Sequence, residues 1–283
     1  MRCILLALAG ACASATNPLS LTVSSDGSYA LTHADWPALS LTSAPTGVLV
    51  SGAWLSSADG SLVRVGALRS GGGADTWGAY NSTALDWASA SAPTAVLVTT
   101  SFRVYADAPA VAFAASFAAG VAATGAGASG ADADSTVSRF PAWALPAASP
   151  LAWMTWAGPF LNRGLAGPLF GPWSAAASTF PGGLSGGPLV LFDATGARSL
   201  VLSAASEFMA VSAAASATAV NMGVLGSAAS LPAGFAYETV AWVGANINSN
   251  IMAWGAALLA KHGKPHGLSK SDFTNTYLGC ESK

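Results

Sequence analysis

From Leu19 to Val243 apolar and polar residues alternate in short runs, broken by glycine, proline and Asp-Gly pairs. The clearest run is "TAVLVTTSFRVYADAPAVAFAASF" (94–117). Val96, Val98, Thr100, Phe102 and Val104 fall on one side of it, with Leu97, Thr99, Ser101, Arg103 and Tyr105 opposite. Period-two spacing with β-branched residues predicts a strand, because successive side chains of an extended backbone point to opposite faces. Asp107-Ala108-Pro109 breaks the run, and Val111 and Phe113 restart it. "GPLVLFDATGARSLVLSA" predicts two strands around a turn at Asp193 to Gly196, and "AGFAYETVAWVG" a last one. Asp26-Gly27 and Asp59-Gly60 predict type I′ hairpin turns, the second joining "GVLVSGAWL" to "SLVRVGAL". Two stretches lack a pattern. Gly120–Ser135 reads as a small-residue loop, and Phe140–Trp173, aromatic and proline-broken, as irregular chain.

The period changes at Asn246. In "NSNIMAWGAALLAKHGKPHG", Ile251, Trp254, Leu258 and Leu259 share a helical stripe. Asn248 or Ser249 can cap its start, Lys261 and His262 occupy its last turn, and Gly263 and Pro265 stop it. This predicts one helix over 250–262. The fold class is therefore all-β: a large antiparallel β-sandwich (a supersandwich) with one C-terminal α-helix. The 283 residues suit a single large all-β domain.

The N-terminus, "MRCILLALAGACASATNP", pairs one basic residue with an apolar run and small residues at Ala13 and Ala15. That is the layout of a secretory signal peptide cut after Ala15, which places the protein outside the cell or in the endomembrane lumen. The expected organisation is a signal peptide over 1–15, a sandwich over 16–245, and a connector with the start of another unit over 246–283. Cleavage removes Cys3 and Cys12 and leaves Cys280 alone, so packing rather than disulfides must hold the core. Asn81-Ser82-Thr83 is a glycosylation acceptor.

Charged residues are only 8% of the chain and the net charge is −2, which provides no basic field for nucleic acid. The apolar stretches at 108–131, 140–162 and 239–260 are diluted by alanine and glycine or interrupted by proline and asparagine, so none predicts a membrane span.

Catalytic chemistry is sparse. His33, His262 and His266 have no cysteine partners at metal-binding spacing, no G-x-S-x-G elbow is present, and neither "SGGGAD" nor "TGAGASGADAD" has a phosphate-loop lysine. Asp132 and Asp134 fall short of a calcium shell. No catalytic residue, metal or cofactor is expected. Glu207 and Glu238, acids among apolar residues, fit paired or strand-edge positions better than acid/base roles. Trp143, Trp153, Trp156 and Trp173 crowd into one stretch. They can stack on sugar rings or plug the end of a sandwich core, and the residues alone leave both readings open.

"GGPLVLFDATGARSLVLSAASEFMA", "SLPAGFAYETVAWVG" and "MAWGAALLAKHGKPHG…DFTNTYLG" resemble the N-terminal region of α-galactosidase- and raffinose-synthase-like glycoside hydrolases. The resemblance covers about residues 95–279. In that family a galactose-mutarotase-type sandwich leads through a helical connector into a catalytic (β/α)₈ barrel. It implies that the chain is the non-catalytic part of a carbohydrate-active protein. Leu278 and Gly279 match the family's barrel entry, but Cys280 stands where a tyrosine is typical. The family's catalytic aspartates have no counterpart here. The implied partner is the barrel, docking on a bare patch around Trp254 and Leu258. A stand-alone carbohydrate-binding module using the tryptophans is the second reading. A secreted structural or surface protein, drawing on the Ala/Gly/Ser richness, is the third.

Overall fold

The computed structural model describes residues 17–122, 136–155, 169–175 and 188–264. The signal peptide, Asp132 and Asp134, Trp156 and the tail from Pro265 lie outside the described residues.

The strands follow in chain order. β1 (Leu19–Val23), β2 (Tyr29–His33), β3 (Ser40–Thr42), β4 (Gly47–Val50), β5 (Ala53–Ser56) and β6 (Leu62–Asp75) come first. Then come β7 (Gly78–Ser89), β8 (Val96–Tyr105), β9 (Ala110–Phe117), β10 (Ser138–Arg139), β11 (Ala142–Ala144) and β12 (Leu151–Thr155). The last six are β13 (Leu169–Pro172), β14 (Leu189–Asp193), β15 (Arg198–Ala204), β16 (Val211–Ala215), β17 (Ala219–Val224) and β18 (Phe235–Ala245). One helix, α1 (Ile247–Lys261), follows β18 directly.

Nine strands form one antiparallel sheet in the order β13-β12-β14-β15-β18-β9-β8-β7-β6. The others form three small antiparallel sheets, β1-β2-β3, β10-β4-β5 and β11-β17-β16. Backbone bonds stitch these together: Ala44 N–H donates to Ala142 C=O at 2.9 Å, and Val137 N–H to Val224 C=O at 2.8 Å. The result is a second layer, and the main core lies between the two. Leu31 and Leu41 come to it from the small sheets, Phe102, Phe113 and Leu200 from the large one.

The large sheet is covered on both faces, which explains why its central strands read as nearly continuous apolar runs. In β18, Tyr237, Ala241 and Val243 join the main core, while Val240 and Trp242 join a second cluster on the outer face. That second cluster is closed by α1, through Ile247, Ile251, Trp254, Ala257 and Leu258. The all-β sandwich with one C-terminal helix expected from the periodicity is the observed fold.

Several local expectations change. "GVLVSGAWL" is itself a hairpin: β4 and β5 pair around Ser51-Gly52, whose φ angles of 49° and 79° make the two-residue turn. β6 pairs with β7 instead. The Asp26-Gly27 turn is a longer loop between Val23 and Tyr29, closed by Asp26 Oδ1 accepting the Ser28 N–H at 2.9 Å. The 140–173 stretch holds β11, β12 and β13. In β12, Leu151, Trp153 and Thr155 are buried and alternate with half-buried neighbours, a pattern the surrounding prolines obscure. Helix α1 begins three residues early. Its cap is Asn246, whose Oδ1 accepts the Ser249 N–H at 2.9 Å, so Asn248 and Ser249 sit inside the first turn.

Candidate functional site

Helix α1 is held to the large sheet at both ends and along its middle. Near its start, Asn250 is buried, and its Nδ2 donates to Ser199 C=O and Oγ, both at 2.9 Å, and to Trp242 C=O at 3.3 Å. Gly244 leaves the space for it, since a Cβ there would stand 2.5 Å from Asn250 Oδ1. Midway, Trp254 Nε1–H donates to Ser203 Oγ at 2.8 Å. Trp77, in the turn between β6 and β7, donates its Nε1–H to Ala257 C=O at 2.9 Å.

The last turn meets a charge network. Lys261 Nζ donates to Glu238 Oε1 at 2.8 Å and lies 4.6 Å from the centre of the Trp77 ring. Arg103 donates to Glu238 Oε2 at 3.0 Å and reaches Asp75 Oδ2 at 3.4 Å, and Tyr105 donates its hydroxyl to Asp75 at 2.7 Å. Burial works against the Arg103 charge, but Glu238 and the neighbouring tyrosines outweigh it and hold its pKa above the ordinary value. Burial, then the bond to Asp75, pushes the Tyr105 hydroxyl up. Both carboxylates are committed to cations. Glu238 is thus a paired residue of a central strand, and this cluster offers no free carboxylate pair for glycoside hydrolysis.

The other side of α1 is uncovered among the described residues. Met252 is 65% exposed, and beside it Phe208 and Met209 are 52% and 92% exposed. Glu207 takes a φ of 50°, and the turn it makes presents these two side chains. The Phe208 ring packs edge-on against His262 at 5.2 Å, and His262 Nε2 lies 2.9 Å from Ala205 C=O. Phe208, Met252, Gly255, Leu259 and the outer edges of Trp254 and Leu258 line a groove of about 730 Å³. A smaller recess of about 200 Å³ continues beneath it, toward Ser203, Val211 and Met222. Such a surface can bury hydrocarbon, and among the described residues no carboxylate lines it to move a proton.

Trp254 and Leu258 are therefore half-buried against their own sheet and form only the rim of the bare patch. Its exposed centre is Met252 with Phe208. Met252 falls within the helix that the sequence predicts, but the Phe208 turn depends on a positive φ at the non-glycine Glu207, which carries no sequence signature.

The tryptophans lie elsewhere. Trp143, Trp153 and Trp173 are 0%, 1% and 1% exposed and belong to the main core. Trp143 meets Tyr29 and Phe113 edge-to-face at 5.1 and 5.4 Å. Buried in this way, none of the three presents an open ring face on which a sugar could stack. Asn81 is exposed, in the middle of β7. His33 is buried, and His262 ends α1. Among the described residues no group of three or more His, Cys, Asp or Glu gathers to hold a metal, and no helix is long and apolar enough to cross a membrane.

No protein-family model matches the sequence, and no curated protein is similar to it. Solved structures do match. The ligand-free α-N-acetylgalactosaminidase NagBb of Bifidobacterium bifidum aligns over 88% of this chain with a TM-score of 0.51 and 8% identity. Its GalNAc complex aligns over the same share with a TM-score of 0.54 and 8% identity. At that identity the likeness is one of fold. This chain's fold is like that of part of the enzyme, and the chain spans 38% of that enzyme's length.

Proposed function

We propose that this chain is the non-catalytic sandwich and connector of a secreted glycoside hydrolase-like protein, and that the groove on α1 seats the catalytic barrel. The observation that carries this reading is the division of α1 into two faces. One is satisfied by hydrogen bonds and ion pairs to the sheet. The other is an apolar groove immediately ahead of the chain's exit toward the barrel that the family resemblance implies. The fold likeness to part of a glycoside hydrolase supports it.

Export rests on the N-terminal pattern, and N-terminal sequencing of the mature protein should begin at Thr16. The stand-alone binding module loses its main support with the burial of three of the four tryptophans.

The test is the transcript across the codons for Tyr277 to Lys283, followed by assay of its product on α-glycosides. A frame that runs on into a barrel, and an activity that Met252→Glu weakens through loss of domain docking, supports the proposal. A stop after Lys283, with a stable monomer that no barrel protein binds, overturns it.

A further inference from the structure

A second concavity lies on the inner face of the large sheet, the face opposite the one that α1 covers. The strand register builds its floor. Ser70, Thr83 and Phe102 are cross-strand neighbours on β6, β7 and β8, and Gly72, Asn81 and Val104 form the adjoining row. Phe102 points into the main core, so the other side chains of these rows share its face. β1 overhangs them. Its alternation turns Leu19, Leu21 and Val23 inward, but only Leu19 is fully buried. Leu21 and Val23 are half-buried because they wall a cleft of about 370 Å³.

The lining defines the chemistry of an occupant. Among the described residues it contains no charged side chain. Leu21, Val23, Leu68 and Val104 provide apolar walls, and Ser70, Asn81 and Thr83 provide two hydroxyls and an amide. Apolar walls with a few convergent neutral donors and acceptors, in a cleft of this size, are the features of a small-molecule site. An ion would be desolvated here without a countercharge. A ring carrying hydroxyls at its edge and C–H bonds on its face is matched on both counts.

We propose that this cleft binds a neutral saccharide ring, with Ser70, Asn81 and Thr83 bonding its hydroxyls and Leu21 and Val23 covering its C–H face. The saccharide has two sources. It is a free sugar or the end of a glycan, or it is the chain's own glycan on the Asn81-Ser82-Thr83 acceptor. In the second case Asn81 Nδ2 gives up a proton and takes the anomeric carbon of a diphosphate-activated oligosaccharide, whose lipid diphosphate leaves. The proposal is independent of the groove on α1.

The experiment is a methyl-detected NMR titration of the full chain made in bacteria, without glycan, against glucose, galactose, N-acetylgalactosamine and glucuronate. Saturable shifts at Leu21, Val23, Leu68 and Val104 are expected with a neutral sugar and not with glucuronate. Asn81→Leu or Thr83→Val should weaken binding about threefold to tenfold, the worth of one neutral hydrogen bond, with the circular dichroism spectrum unchanged. If the chain made in a secretory host carries a glycan on Asn81, and the same methyls shift when the glycan is removed, the source is its own. Methyls that respond to neither free sugar nor deglycosylation, or a response that both substitutions leave intact, overturn the proposal.

Discussion

The Lys261 ammonium at the end of α1 lies 2.8 Å from Oε1 of Glu238, in the middle of β18. Arg103 holds the other oxygen of that carboxylate at 3.0 Å, so one anion on a central strand serves two cations from two elements. The side chains of Glu238 and Lys261 are only 11% and 17% exposed, which shields the pair from solvent screening. With Asn250 at the other end, this carboxylate fixes the face that α1 shows to the sheet, and hence the face that it leaves bare.

Glu238→Gln should therefore cost about 1–3 kcal/mol, because it leaves two half-buried cations facing a neutral amide. Urea denaturation measures the loss. Hydrogen exchange should locate it, with amides of the last turns of α1 exchanging faster while those of β8 and β9 hold. Lys261→Met should cost less, since its hydrocarbon keeps the contact with Trp77.

Asn250 and Gly244 should behave as a unit. Asn250→Ala removes three donated bonds and leaves the Ser199 and Trp242 carbonyls short of a partner, at about 1–3 kcal/mol. Gly244→Ala drives a Cβ against Asn250 Oδ1. In the double variant the clash disappears, so the two losses should sum to less than additive in a denaturation cycle.

Trp143→Ala should cost about 3–5 kcal/mol, as for a large aromatic removed from a packed core. Trp143→Phe should cost less, because it keeps edge contacts with Tyr29 and Phe113 and removes an indole N–H that is buried without a partner among the described residues. Thermal denaturation of both variants distinguishes this from a surface role, in which neither would move the midpoint by more than a degree or two.

The parts of this fold legible in the sequence were those with two agreeing signals. β8 and β9 combine alternation with a proline break, β14 and β15 combine it with the Asp193–Gly196 turn, and α1 carries a stripe, a basic last turn and a glycine stop. β7 carries only a weak signal because alanine and glycine dilute its alternation. The hairpin at Ser51-Gly52 lost to a stronger Asp-Gly signal a few residues on. The tryptophans were ambiguous for a deeper reason. Spacing tells which residues share a side of a strand, but not which side the other layer covers. The cleft at Asn81 was equally hidden, since its lining comes from four strands whose register only the folded sheet sets.

Met252 is exposed on the bare face of α1, so Met252→Glu should change stability by no more than about 0.5 kcal/mol. Its effect should appear in binding. The isolated chain should enhance the fluorescence of an apolar dye such as anilinonaphthalene sulfonate, and the substitution should cut that signal by placing a charge in the groove. An unchanged signal in a folded variant would place the dye elsewhere and remove the groove as the exposed apolar surface.

His33 gives the chain a dependence on pH of definite sign. Burial first, and then the Arg198 charge, lower its pKa below the ordinary 6.5, with Asp35 opposing. Its Nδ1 accepts the Asp35 N–H at 3.0 Å and its Nε2 lies 3.4 Å from Arg198, while Trp36 packs across the ring and donates to Asp193. A histidine held neutral in the fold takes up a proton more readily once the chain unfolds. Below about pH 6.5 the unfolded state then binds more protons than the native one, so stability falls as pH drops, until the folded histidine itself titrates. Denaturation midpoints at pH 7.5, 6.5 and 5.5 should decline in that order. In His33→Asn, whose carbonyl oxygen can still accept the Asp35 N–H, the decline should flatten. An equally steep decline in that variant would assign the dependence to other groups.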